Sequence, residues 1–137
     1  MPGTGLRLLI VEDQELFAMT LAAVVTRLNY NLIGSAATAD RAEELARDTM
    51  PDVVLMDLHL KGPRDGVQTA QAIMAATGAQ VIFLTGNAND RDLGRMRALR
   101  PAGILLKPFR RTALADALEM AAGRLRARAD ASWTGAD

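Results

Sequence analysis

The chain has 137 residues, half of them hydrophobic, which is enough for one domain with its own core and too apolar for disorder. It contains no cysteine, excluding disulfides, a thiolate nucleophile and zinc held by thiolates. Its formal net charge is zero, which argues against a nucleic-acid surface, and no apolar stretch approaches the roughly 20 residues of a membrane helix. Met1-Pro2-Gly3-Thr4-Gly5 leads directly into a strand-like segment without a secretory leader pattern, so the cytoplasm is the expected compartment. Leu6–Val11 is a near-continuous apolar run, as a strand buried on both faces should be. Phe17, Leu21, Val24 and Leu28 recur at helical spacing, and Asn31–Ala36 reads as a second, weaker strand. Thr38 or Asp40 can cap a helix carrying Ala42, Leu45 and Ala46. Pro51-Asp52 stops that helix and starts the strand Val53–Met56. The breaker-rich loop Lys61–Gly66 precedes a helix with Val67, Ala70 and Met74 that ends near Gly78. Val81–Leu84 is the clearest strand; Leu93, Met96 and Leu99 mark a fourth helix, closed by Pro101 and Gly103. After Ile104–Leu106 comes a last helix with Leu114, Ala117, Leu118, Ala121 and Leu125 on one face. Residues 1–128 form the expected domain, with Arg124-Leu125-Arg126-Ala127-Arg128 a solvated helix end and 129–137 a loose tail.

Five strands alternating with five helices, joined by right-handed crossovers, imply a parallel sheet covered on both sides. For five strands the order 2-1-3-4-5 is a common outcome, and it makes the first and third strands neighbours at the switch point. Open sheets of this kind place their chemistry outside the carboxyl ends of the strands. Glu12 and Asp13 end the first strand, Asp57 the third and Thr85 the fourth, while Lys107-Pro108 follows the fifth. One crevice would then hold three acids, a hydroxyl and an ammonium. Three acids repel one another unless a divalent cation joins them, and the lysine and hydroxyl suit a phosphoryl group beside that cation. The pattern points to phosphate handling on a carboxylate that can itself be attacked.

The motifs Val11-Glu12-Asp13, Pro51–Asp57, Phe83-Leu84-Thr85 and Leu106-Lys107-Pro108-Phe109, each at a strand end and at matching spacing, resemble those of the response-regulator receiver domain. The resemblance covers about residues 6 to 127 and implies the flavodoxin/CheY-like three-layer α/β/α fold. It further implies that Asp57 accepts a phosphoryl group from a histidine kinase or a histidine phosphotransfer protein. Mg2+ would be bound directly by Asp13 and Asp57, by Glu12 through water, and by the His59 backbone carbonyl. Lys107 would pair with one phosphoryl oxygen, Thr85 would hydrogen-bond another, and Gly86 would leave room for the group to arrive. Pro108 could hold the lysine loop as a cis-proline, and the side chain of His59 could flank Asp57. Partners implied are the phosphoryl donor and an unidentified downstream protein met on the face of the fourth helix, fifth strand and fifth helix. A homodimer is left open, and neither nucleic acid nor membrane is expected.

Two features depart from the family pattern. Ile104 stands where receivers often carry a Tyr or Phe that swings inward as a switch. The loop after Asp57, Leu60–Gly66, runs one residue longer than the common type. Three other functions compete with a stand-alone switch. A phosphate sink or relay intermediate would share the site. An aspartate-nucleophile phosphatase of the haloacid-dehalogenase type would want a second Asp where this chain has His59, and would use a cap domain for which there is no length. A flavodoxin-like cofactor binder would need a phosphate loop, but the stretch after the first strand is the acidic Glu12-Asp13-Gln14-Glu15.

Overall fold

A computed structural model describes residues 5–133. The strands are β1 (Arg7–Val11), β2 (Asn31–Ala36), β3 (Val53–Asp57), β4 (Gln80–Thr85) and β5 (Gly103–Leu106). Between and after them come α1 (Glu15–Arg27), α2 (Ala39–Thr49), α3 (Gly66–Thr77), α4 (Asp90–Ala98) and α5 (Arg111–Trp133). All five strands run parallel in the order β2-β1-β3-β4-β5, the order expected from the sequence.

The pleat sorts the central strands into two cores. Leu9 and Val11, Val54 and Met56, and Val81 and Phe83 face one side, packing against Ala42 and Ala46 of α2, Val67, Ala70 and Ile73 of α3, and Met96 of α4. Leu8 and Ile10, Val53 and Leu55, and Ile82 and Leu84 face the other, against Leu21 and Val25 of α1 and Leu114, Ala117, Leu118 and Ala121 of α5. This is why the central strands read as continuous apolar runs: both faces are covered. β2, the weaker strand in the sequence, is an edge strand and only half-buried.

Local chemistry fixes the helix starts. Thr38, not Asp40, caps α2, its hydroxyl accepting from the Arg41 N–H. Asp65 begins α3 in a reciprocal capping box with Gln68. The same Asp65 carboxylate takes two hydrogen bonds from the Arg95 guanidinium, at 2.7 and 3.1 Å, so α4 is tied to the start of α3. Arg64, just before, pairs with Asp40 and Glu43 of α2, and Thr38 bridges to Lys61. The loop between β3 and α3 is thereby held to helices on both sides.

The expected loose tail is corrected over its first part. α5 continues through Ala129–Trp133, while residues 134–137 lie outside the described residues. No glycine or proline interrupts residues 124–133, and alanine and arginine favour helix there. The basic end is also less free than the sequence implies. Arg124 donates to the Arg100 carbonyl at 2.7 Å and Arg128 to the Gly78 carbonyl at 2.9 Å.

Gly66, the first residue of α3, packs on the end of β3. Its N–H donates to the Leu58 carbonyl at 2.7 Å, and a Cβ there would sit 2.0 Å from the backbone oxygen of Asp57. Backbone on both sides leaves no flexible atom to yield. Gly66→Ala should destabilise the fold by about 3 kcal/mol and lower Tm by roughly 10 °C; thermal unfolding followed by circular dichroism measures it.

Candidate functional site

The carboxyl ends of β1, β3, β4 and β5 open onto a recess lined by Asp13, Gln14, Asp57, His59, Gly86, Asn87 and Lys107. Parallel pairing of Val11 with Met56 brings the residues after β1 and at the end of β3 side by side. Carboxylate oxygens of Glu12, Asp13 and Asp57 consequently lie within 4.8 Å of one another. Such a set of hard oxygen donors suits a small divalent cation such as Mg2+, which takes one or two carboxylates and keeps waters and phosphate oxygens.

Lys107 reaches into this group from the far side of the sheet. Its Nζ donates to Glu12 Oε1 at 2.7 Å and stands 3.4 Å from Asp57 Oδ1. The other Glu12 oxygen accepts from the Gln14 N–H at 3.0 Å. Phe17 of α1 lies beneath the ammonium, its ring centroid 4.4 Å away, and meets Phe109 edge-on. The Lys107-Pro108 peptide is cis, the isomer raised from the sequence.

Burial divides the three acids. Burial pushes the Glu12 carboxyl up, but the Lys107 hydrogen bond and charge, together with the Gln14 N–H, hold it below its ordinary value. Asp13, half-exposed, is raised by burial and then by its neighbour Glu12. Asp57 is pushed from 3.8 up to about 6 by burial first and the Glu12 charge second, against the pull of Lys107. Both acids that line the recess, Asp13 and Asp57, are thus raised, and Asp57 is the more deeply buried of the two.

Thr85 is fully buried, and its hydroxyl is turned to the backbone of Asn87, donating to the carbonyl at 3.0 Å and accepting from the N–H at 3.2 Å. His59 Nε2 lies 3.0 Å from the same Asn87 carbonyl, so the ring spans from the β3 end to the loop after β4. Of the residues expected from the sequence, Glu12, Asp13, Asp57 and Lys107 converge, and the side chain of His59 flanks them. The Thr85 hydroxyl is engaged beside the recess. Ile104 does not line the recess; it is half-buried against the core that includes Phe83 and Met96. Gln14, Phe17 and Asn87 were not singled out from the sequence as site residues. A polar residue after an acidic pair, a helix phenylalanine and a loop asparagine carry no signal until the fold brings them together.

A raised carboxyl pKa makes stability fall as pH rises. The folded chain keeps a proton on Asp57 up to about pH 6, whereas an unfolded chain releases it near 3.8. The cost of the buried charge therefore grows from about pH 4 and is complete above pH 6. Asp57→Asn, which keeps the shape without the charge, should raise stability by on the order of 2 kcal/mol at pH 7.5 and little at pH 4. Denaturant melts at the two pH values, with divalent cations chelated, measure this.

Residues 8–119 match the family described as the response regulator receiver domain. The transcriptional regulatory protein PdtaR of Mycobacterium tuberculosis is 34% identical over 120 residues, covering 88% of this chain and 58% of that protein. The phyllosphere-induced regulator PhyR of Methylorubrum extorquens is 34% identical over 103 residues, 74% of this chain and 38% of that protein. The chain thus spans less than two thirds of these curated relatives. Among solved structures, the signal receiver domain of a modulated diguanylate cyclase from Desulfovibrio desulfuricans superposes with a TM-score of 0.83 at 33% identity, covering 89% of this chain and 97% of that one.

Proposed function

Since this chain belongs to the response regulator receiver family of two-component signalling, we propose that it is a switch whose Asp57 accepts a phosphoryl group from a phosphohistidine donor. The observation that carries the reading is Lys107 standing between Glu12 and Asp57 at the mouth of an otherwise acidic recess. An Asp57 oxygen attacks phosphorus as the N–P bond of the donor breaks. The electron pair stays on the leaving histidine nitrogen, and an acyl phosphate forms on Asp57. Asp13 and Asp57, with Glu12 behind them and the His59 carbonyl as a further oxygen, are the groups that would hold Mg2+. When bound, the ion would neutralise charge on the transferred oxygens. Lys107 supplies a donor to one of those oxygens. Water attack on the acyl phosphate resets the switch.

Thr85 then has two alternatives. Its hydroxyl serves the Asn87 carbonyl in the free chain, and a phosphoryl oxygen on Asp57 competes for the same donor. Drawing Thr85 inward releases Asn87 and moves the loop before α4. Ile104, β-branched and without a polar tip, cannot make the swing of an aromatic ring, so the signal passes through the Thr85–Asn89 loop to the α4-β5-α5 face. Leu106, exposed at the end of β5, lies at that face and suits contact with a downstream protein. Among the described residues no helix is long and apolar enough to cross a membrane, and we place the phosphoryl donor and the downstream partner in the cytoplasm.

The test is phosphoryl uptake from a histidine kinase or from acetyl phosphate. Asp57→Asn should abolish labelling; label persisting on Asp52 or Asp65 by mass spectrometry refutes the assignment. Asp13→Asn should abolish Mg2+-dependent uptake while modestly stabilising the metal-free fold, because one of three crowded charges is gone. Thr85→Ala should leave uptake largely intact and uncouple it from movement of the 85–89 loop, read by amide chemical shifts with and without beryllofluoride. Loop movement that persists in Thr85→Ala would remove Thr85 from the signal path, and a loop that stays still even in the native chain would favour a sink or relay.

A further inference from the structure

We propose that Phe17 is a positioning residue for Lys107, its ring face seating the ammonium so that the lysine can turn from Glu12 to a phosphoryl group on Asp57. The inference rests on Asp57 being the phosphoacceptor. A lysine ammonium has three N–H donors. One meets Glu12 Oε1 at 2.7 Å, while the Asp57 oxygen at 3.4 Å is too far for a good hydrogen bond. The ring of Phe17, 4.4 Å from Nζ to its centroid, lies well within the reach of a cation–π contact. Phe17 is in turn held by Phe109, with centroids 6.0 Å apart and planes at 78°. Phe109 lies two residues beyond Lys107, so the segment after β5 braces the α1 ring that faces the ammonium.

The chemistry of the seat differs from that of a carboxylate or a water. A ring face attracts the cation without a lone pair, so it does not hold a donor that a phosphoryl oxygen needs. Its attraction is spread over the ring, so the ammonium can swing from Glu12 toward Asp57 and stay in contact. Lys107 carries a flexible four-carbon stem, and a seat of this kind restricts it before the phosphoryl group arrives. Phe17 also packs beside the core of Leu21 and Leu114, so simple burial is the rival explanation.

Fluorination separates the two, because it drains negative potential from the ring face while leaving size and apolarity nearly unchanged. The experiment uses the full chain with Phe17 replaced by mono-, di- and trifluorinated phenylalanine, and separately Phe17→Leu. Initial rates of phosphoryl uptake from acetyl phosphate with Mg2+ are measured beside Tm. The ε-methylene proton shifts of Lys107 are recorded without any phosphoryl donor. We expect the rate to fall stepwise with fluorine number, about two- to fivefold across the series, at constant Tm. The Lys107 ε-protons should be shifted upfield by the ring in the native chain and return to ordinary values in Phe17→Leu. Uptake that stays flat across the series, a rate that follows Tm instead of fluorine number, or ε-protons indifferent to Phe17→Leu would overturn the proposal. If the native chain takes up no phosphoryl group at all, the assignment of Asp57 falls, and the Lys107 resonances alone then judge the seat.

Discussion

One ammonium holds the working edge of this domain together. Glu12 and Asp57 have side chains almost wholly removed from water, and burying two carboxylates side by side is costly unless a cation compensates. Lys107 does so from 95 residues away in sequence, crossing from the end of β5 to the end of β1. The contact is possible only because the strand order puts β1 against β3 and keeps every strand end on one edge. The sheet, its two cores and the helices that cover it can be understood as the frame that keeps this charge arrangement dry and fixed.

Around that pair the loops form a second tier. The Asn87 carbonyl is the acceptor for Thr85, and the His59 ring nitrogen faces it, so two strand ends are joined through one backbone oxygen. Asp65 extends the linkage by capping α3 and holding Arg95 of α4. Asp57 and α4 are therefore separated by only one loop, itself packed at Gly66 against the Asp57 carbonyl.

Much of this was legible in the sequence because its signals are local or periodic. Strands buried on both faces announce themselves as unbroken apolar runs, and Glu12, Asp13, Asp57 and Lys107 each sit directly after one. Those four converge as their positions imply. What stayed hidden depends on tertiary contact. Nothing in the spacing of Phe17 distinguishes a seat for a cation from a core residue, because both require the same face of α1. The continuation of α5 past residue 128 rests on helix-favouring composition without apolar periodicity, a weak signal. The contacts of its basic end are not local at all: the carbonyls that fasten Arg124 and Arg128 belong to residues 100 and 78. Ile104 was visible as a departure from the family, and its packing against the Phe83 and Met96 core gives that departure a physical setting.

The reach of α5 has a mechanical meaning. Its 23 residues make a rod about 35 Å long, whereas the six residues of β4 extend only about 20 Å. The rod begins four residues after Lys107. Its far end is fastened to carbonyls that precede β4 and β5, at the pole opposite the recess. Packed along Leu114, Leu118 and Ala121 and fastened beyond them, the rod is a brace: it ties the segment that carries Lys107 to the opposite pole of the sheet, so neither end of β4 and β5 can shift without the other.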